Sequence, residues 1–184
     1  MKILDKIANQ NFPLTWANLD SLTDSKGYKV EIYLIKNDNL IEGLILMFYT
    51  LFRSIKRSIK LYDPSWWDYC LDTWDPKEDK YDYELEGKPV ETKCYLTMLK
   101  ESSIELGYSG ICKCNDWDKF LSVTLACIVT HIAPYSPIFY DEESDFFFYF
   151  HHSGSIGFYY KERNEVVEKI LSISKDEYDV RECC

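Results

Sequence analysis

Cys112-x-Cys114, His131 and the adjacent His151-His152 are the residues whose types would suit a metal ion. Structural zinc takes cysteines about two to four residues apart, with a second such pair. Here a single residue separates the cysteines, and a predicted helix start intervenes before His131. His151 and His152 sit in a run that reads as a strand, where successive side chains point to opposite faces, so they are not expected to chelate together. The spacing predicts no metal and no cofactor.

Cys127 and His131 stand one helical turn apart and have the types of a nucleophile and its base. A reactive thiolate needs an electropositive, partly exposed setting. The neighbours Val123, Leu125 and Ile128 instead predict a core thiol. Asp141, Glu142, Glu143 and Asp145 resemble a hydrolytic carboxylate cluster, but they occupy a predicted hairpin turn, the ordinary place for solvated acids. No phosphate-binding glycine loop, Gly-x-Ser-x-Gly elbow or metalloprotease helix is present. No residue is assigned a catalytic role, and the chain is not expected to be an enzyme.

The stretch from Asp63 to Glu86, DPSWWDYCLDTWDPKEDKYDYELE, carries more weight. It holds nine carboxylates against Lys77 and Lys80, interleaved with Trp66, Trp67, Tyr69, Trp74, Tyr81 and Tyr83. Such a mixture suits a surface that attracts a basic partner over distance and anchors it with flat, rigid rings. The residues expected to bind the partner are Trp66, Trp67, Asp68, Asp72, Trp74, Asp75, Glu78, Asp79 and Asp82. Adjacent side chains rarely both point inward, so at least one of Trp66 and Trp67 is expected at the surface.

Composition limits the partner. A formal charge of −10 repels phosphate and argues against a nucleic-acid ligand. The longest apolar stretch, Leu44 to Phe52, is too short to span a bilayer, and no membrane partner is expected. Asp5 interrupts the opening MKILDKIANQ, which therefore lacks a signal-peptide pattern. Seven cysteines without framework spacing read as reduced thiols, and the expected location is cytoplasmic.

The elements that must position these residues form one α+β domain over 1–184, an antiparallel sheet of about four to six strands packed with helices. Residues 1–10 read as a short amphipathic helix, with Ile3, Leu4 and Ile7 on one side, and 28–35 as a half-buried strand. Asn39 and Glu42 form a capping-box pattern opening a helix of about 20 residues, whose outer side carries Arg53, Lys56, Arg57 and Lys60. That basic stripe is expected to be solvated or to pair with the acidic tract. Lys88-Pro89 opens a second helix through about Lys100, with Cys94, Met98 and Leu99 inward. A third, nearly apolar all round, runs from a cap at Asn115 to His131. Residues 137–141, 146–152 and 156–161 read as three antiparallel strands, followed by a helix over 164–173. A polar tail follows from about 175.

The chain resembles the immunity proteins that bacteria keep beside polymorphic or contact-dependent toxins. The likeness lies in a small, acidic, aromatic-rich α+β chain whose surface mixes DPSWWDYCLDTWDPKEDKYDYELE with YDEESDFFFYFHH. It implies an inhibitor that occludes the active site of a cognate cationic toxin domain in the producing cell's cytoplasm, acting as a monomer or weak homodimer. The alternative is a non-inhibitory adaptor or oligomer subunit that joins the acidic tract to the Arg53–Lys60 stripe of another copy.

Overall fold

The computed structural model describes residues 2–7, 11–36 and 38–183. In chain order the elements are β1 (Leu4–Lys6), β2 (Tyr28–Tyr33), α1 (Leu40–Phe52), β3 (Lys60–Asp63), β4 (Trp74–Asp75), β5 (Lys80–Tyr81), α2 (Val90–Glu101), β6 (Gly110–Cys114), α3 (Trp117–Val129), β7 (Ile138–Asp141), β8 (Phe146–His151), β9 (Ser155–Tyr160), α4 (Glu165–Glu177) and β10 (Asp179–Cys183). Eight strands form one sheet in the order β1-β6-β3-β7-β8-β9-β2-β10, with every neighbouring pair antiparallel. β4 and β5 form a separate two-stranded hairpin.

Period-two alternation assigns each strand residue to a face. Leu61, Cys112, Phe139, Phe146, Phe148, Phe150, Ile156 and Phe158 point to the helices. α1 lies on this face with the Phe52 ring stacked on Phe148 at 4.0 Å, and α3 brings Trp117 against Phe139 at 6.0 Å. Tyr62, Ile111, Ile138, Tyr140, Phe147 and Tyr159 point the other way, where Phe12, Leu14 and Trp16 cover them. Both faces of the sheet centre are therefore buried, which is why FFFYF reads as a continuous apolar run.

Helix starts follow their caps: Asn39 Oδ1 accepts the Glu42 amide, Asp116 Oδ1 that of Lys119 and Asn164 Oδ1 that of Val167. The third helix is thus capped by Asp116, one residue beyond the predicted Asn115. The first helix ends at Phe52, well short of 20 residues, because turns lead through Ser58 into β3, with Ile59 buried. Cys94 faces out of α2.

The sheet exceeds the four to six strands anticipated. Leu4–Lys6 is an edge strand pairing with β6, not a turn of helix; Leu4 is fully buried and donates its N–H to the Ser102 hydroxyl at 3.1 Å. The rest of that predicted helix at 8–10 lies outside the described residues. The supposed polar tail instead continues α4 to Glu177 and forms β10, which pairs along β2 from Asp179–Tyr33 to Cys183–Lys29. Among the described residues no helix is long and apolar enough to cross a membrane.

A candidate docking face on the acidic tract

The tract leaves β3 through Pro64, makes two short 3-10 turns at Trp66–Asp68 and Leu71–Thr73, and then forms the β4–β5 hairpin around Pro76. The first half is anchored inward. Trp66 is fully buried, with its indole N–H donating to the Gly110 carbonyl at 2.9 Å. Trp67 is 7% exposed and donates to the Ile104 carbonyl at 3.2 Å. Tyr69 donates to the Thr124 carbonyl, and Tyr95 donates to the carbonyl of Trp66. Neither Trp66 nor Trp67 can anchor a partner in this arrangement, contrary to the expectation from their adjacency. A 3-10 turn separates successive side chains by about 120° rather than 180°, so both indoles reach the core.

The second half faces water. Trp74 is 41% exposed, Tyr81 46% and Leu71 59%. Trp74 and Tyr81 pair across the hairpin, with ring centroids 5.0 Å apart. Tyr81 stacks near-parallel on Tyr83 at 6.0 Å, and Tyr83 meets Trp67 edge-on at 5.5 Å. A ladder of four rings thus runs from solvent into the core, holding the outer pair rigid.

The carboxylates divide in the same way. Asp68 accepts from the hydroxyls of Ser65 and Tyr83, the latter at 2.6 Å, and so serves the fold. Burial, then the Asp68 hydrogen bond, pushes the Tyr83 phenol well above its ordinary value. Asp72 accepts from the Thr92 hydroxyl at 2.6 Å, while its other oxygen is buried with no partner among the described residues. Asp75 caps the hairpin turn, accepting the amides of Lys77 and Glu78, and Asp79 adopts a left-handed φ of 53° there. Asp82 accepts the Glu84 amide and lies 3.6 Å from the Lys88 ammonium; the amide, then the lysine, holds its carboxyl below the usual value. Glu78 pairs with Lys80 at 3.3 Å on the exposed surface, a contact that contributes little. Asp75, Glu78, Asp79 and Asp82 therefore belong to the same exposed hairpin as the aromatic pair, whereas Asp68 and Asp72 are bonded into the fold.

Among the described residues no ion pair joins the tract to the Arg53–Lys60 stripe. Lys60 pairs with Glu142 and Lys56 sits over the Tyr49 ring. The acids at the β7–β8 turn are not simply solvated: Asp141 is buried and accepts the Ser144 amide, and Asp145 accepts the Trp16 indole N–H. His151 and His152 do approach one another, at 4.1 Å between rings, because β8 ends at His151 and His152 belongs to the following turn. His131 stands 4.8 Å from His152, yet no three such donors converge to hold a metal among the described residues. Leu71 and Tyr81 were missed as exposed positions; the alternation Leu71, Thr73 against Trp74 around two turns offers no period from which to assign a face.

Comparisons with protein-family models, with curated proteins and with solved structures give no match.

Proposed function

We propose that the protein is an inhibitory binding protein of the immunity type, which silences one cationic toxin domain by covering its active site. The observation that carries this reading is the β4–β5 hairpin, where Trp74 and Tyr81 pair in water on a segment that also carries Asp75, Glu78, Asp79 and Asp82. Apolar rings flanked by acids give a partner both a desolvated centre and a charged rim. The carboxylates steer a basic surface and suppress acidic competitors, so association slows as salt rises. Acids seated in a basic cleft take the place of its anionic substrate.

The experiment uses the secreted toxin that this reading expects to be encoded beside this chain. Its C-terminal domain is titrated with the parent and with Trp74→Ala/Tyr81→Ala, and residual toxin activity is read. Full inhibition by the parent and a loss of about 2 kcal/mol or more in affinity for the double variant are expected. Equal inhibition by both proteins, or a neighbourhood that encodes no such toxin, overturns the reading.

A further inference from the structure

A cavity of about 470 Å³ opens beside the tract, between the loop at 19–23, the segment 62–71, the connection 134–138 and Tyr149 of β8. Its wall carries three carboxylates, Asp63 and Asp68 on one side and the exposed Asp20 on the other loop, and the tyrosines Tyr62, Tyr69, Tyr135 and Tyr149. Asp63 ends β3, where its Oδ1 accepts the Ser65 amide at 2.8 Å. Its Oδ2 has no hydrogen-bond or ion-pair partner among the described residues. Burial raises the Asp63 carboxyl to about 7 against the opposing pull of the Ser65 amide, and neighbouring Asp68 raises it further. The titratable groups around it are Asp68 on its own loop, Tyr62 of β3, Tyr69, Tyr95 of α2 and Cys112 of β6, with Asp20, Tyr135 and Tyr149 lining the same cavity; none of these is a cation.

Asp63 is half-buried, and a partly desolvated carboxylate without a counter-charge is disfavoured, the more so with a second carboxylate nearby. Either a proton or a bound cation relieves that cost, and the walls suit one kind of cation. Tyrosine faces and a pair of carboxylates suit a flat, delocalised, weakly hydrated cation that stacks and donates in a fork. A primary ammonium is compact and strongly hydrated, and loses more on entering such a space. Leu71, which lines the cavity, is itself 59% exposed and lies three residues before Trp74.

We propose that this cavity receives an arginine side chain of the cationic partner, its guanidinium held by Asp63 and Asp68 and its plane against the tyrosine rings. This rests on the docking reading above and names the group that the partner inserts. Asp68 already accepts two hydroxyl hydrogen bonds, so it contributes charge, while the open oxygen of Asp63 accepts the N–H.

The probe is N-acetyl-arginine methylamide, with its neutral isostere N-acetyl-citrulline methylamide, titrated into the whole chain and followed by amide NMR shifts at the cavity residues. The arginine probe is expected to saturate, and the citrulline probe or Asp63→Asn to bind about tenfold more weakly or worse. Asp63→Asn keeps the side-chain shape; should it disturb the fold, the comparison of the two probes on the parent chain decides alone. Equal binding of the two probes overturns the proposal, as does an Asp63→Asn protein that inhibits the toxin as well as the parent. If the probes are discriminated but Trp74→Ala/Tyr81→Ala leaves inhibition intact, the hairpin reading falls and the guanidinium pocket stands.

Discussion

Trp67 and Tyr83 meet edge to face with their ring centroids 5.5 Å apart, and this contact joins the sealed half of the acidic tract to the displayed half. Inward of it the indoles spend their N–H groups on Gly110 and Ile104 carbonyls; outward of it Tyr81 and Trp74 have water on one side. The two kinds of tryptophan should respond oppositely to truncation. Trp67→Ala is expected to cost about 3–5 kcal/mol of folding stability, from the cavity left and the orphaned Ile104 carbonyl. Trp74→Ala is expected to cost about 1 kcal/mol or less. Urea unfolding of both variants checks the contrast, and equal losses would contradict the ladder.

Asp63 should make the fold less stable as pH rises. Its carboxyl titrates near 7 in the folded chain against an ordinary 3.8, so the folded state binds the proton more tightly than the unfolded one. Stability from this group is complete below the unfolded value and is lost as pH climbs through about 7. Asp63→Asn should therefore exceed the parent in unfolding midpoint at pH 8, and the gap should close at pH 4. A gap that widens toward acid would show the carboxylate to be favourably paired.

The cysteines should differ sharply toward alkylation. Cys94 is exposed, while Cys70, Cys112, Cys114 and Cys127 are buried. Burial lifts the Cys112 and Cys114 thiols to about 12, and the hydrogen bond with Cys70, then burial, lifts Cys127. Iodoacetamide on the native chain is expected to modify Cys94 before any of the other four, which react once urea is added. Peptide mapping by mass spectrometry reads the order. Early labelling of Cys127 would revive the nucleophile reading that its surroundings argue against.

The isolated chain should be a monomer at low and high salt alike. Lys60 and Lys56 are engaged by Glu142 and the Tyr49 ring, and the tract has Lys80 and Lys88 beside it, which weakens any stripe-to-tract pairing between copies. Light scattering at about 50 mM and about 0.5 M salt checks this, where screening differs several-fold. A dimer that dissolves with salt would favour the adaptor alternative.

Much of the architecture was legible where a period and a cap coincide. Asn39 before α1, Asn164 before α4 and the FFFYFHH–SGS–IGFYYK hairpin were each readable from local chemistry. β1, β3, β6 and β10 were not, because strands of three to five residues show little alternation and, unlike the equally short β7, these have no hairpin partner next in sequence to mark them. Gly110 disguised the start of β6 as loop, although its carbonyl receives the Trp66 indole. Within the tract, charge and ring content were visible but orientation was not. Trp66 and Trp67 follow a 3-10 turn set by Tyr95 and the Gly110 and Ile104 carbonyls, all distant in sequence. Asp63 gave no signal of its own, since its half-buried place at the end of β3, beside Asp68 and the cavity tyrosines, arises only in the folded chain.

The strands at the two rims of the main sheet, β1 and β10, have consequences for behaviour at high concentration. β1 is three residues long and shows Asp5 and Lys6 outward, while β10 carries Asp179, Arg181 and Glu182. A stranger's backbone approaching either rim would have to strip water from those charges to gain few hydrogen bonds. Fibril growth by lateral strand addition is thereby blocked at both ends of an aromatic-rich sheet that would otherwise invite it.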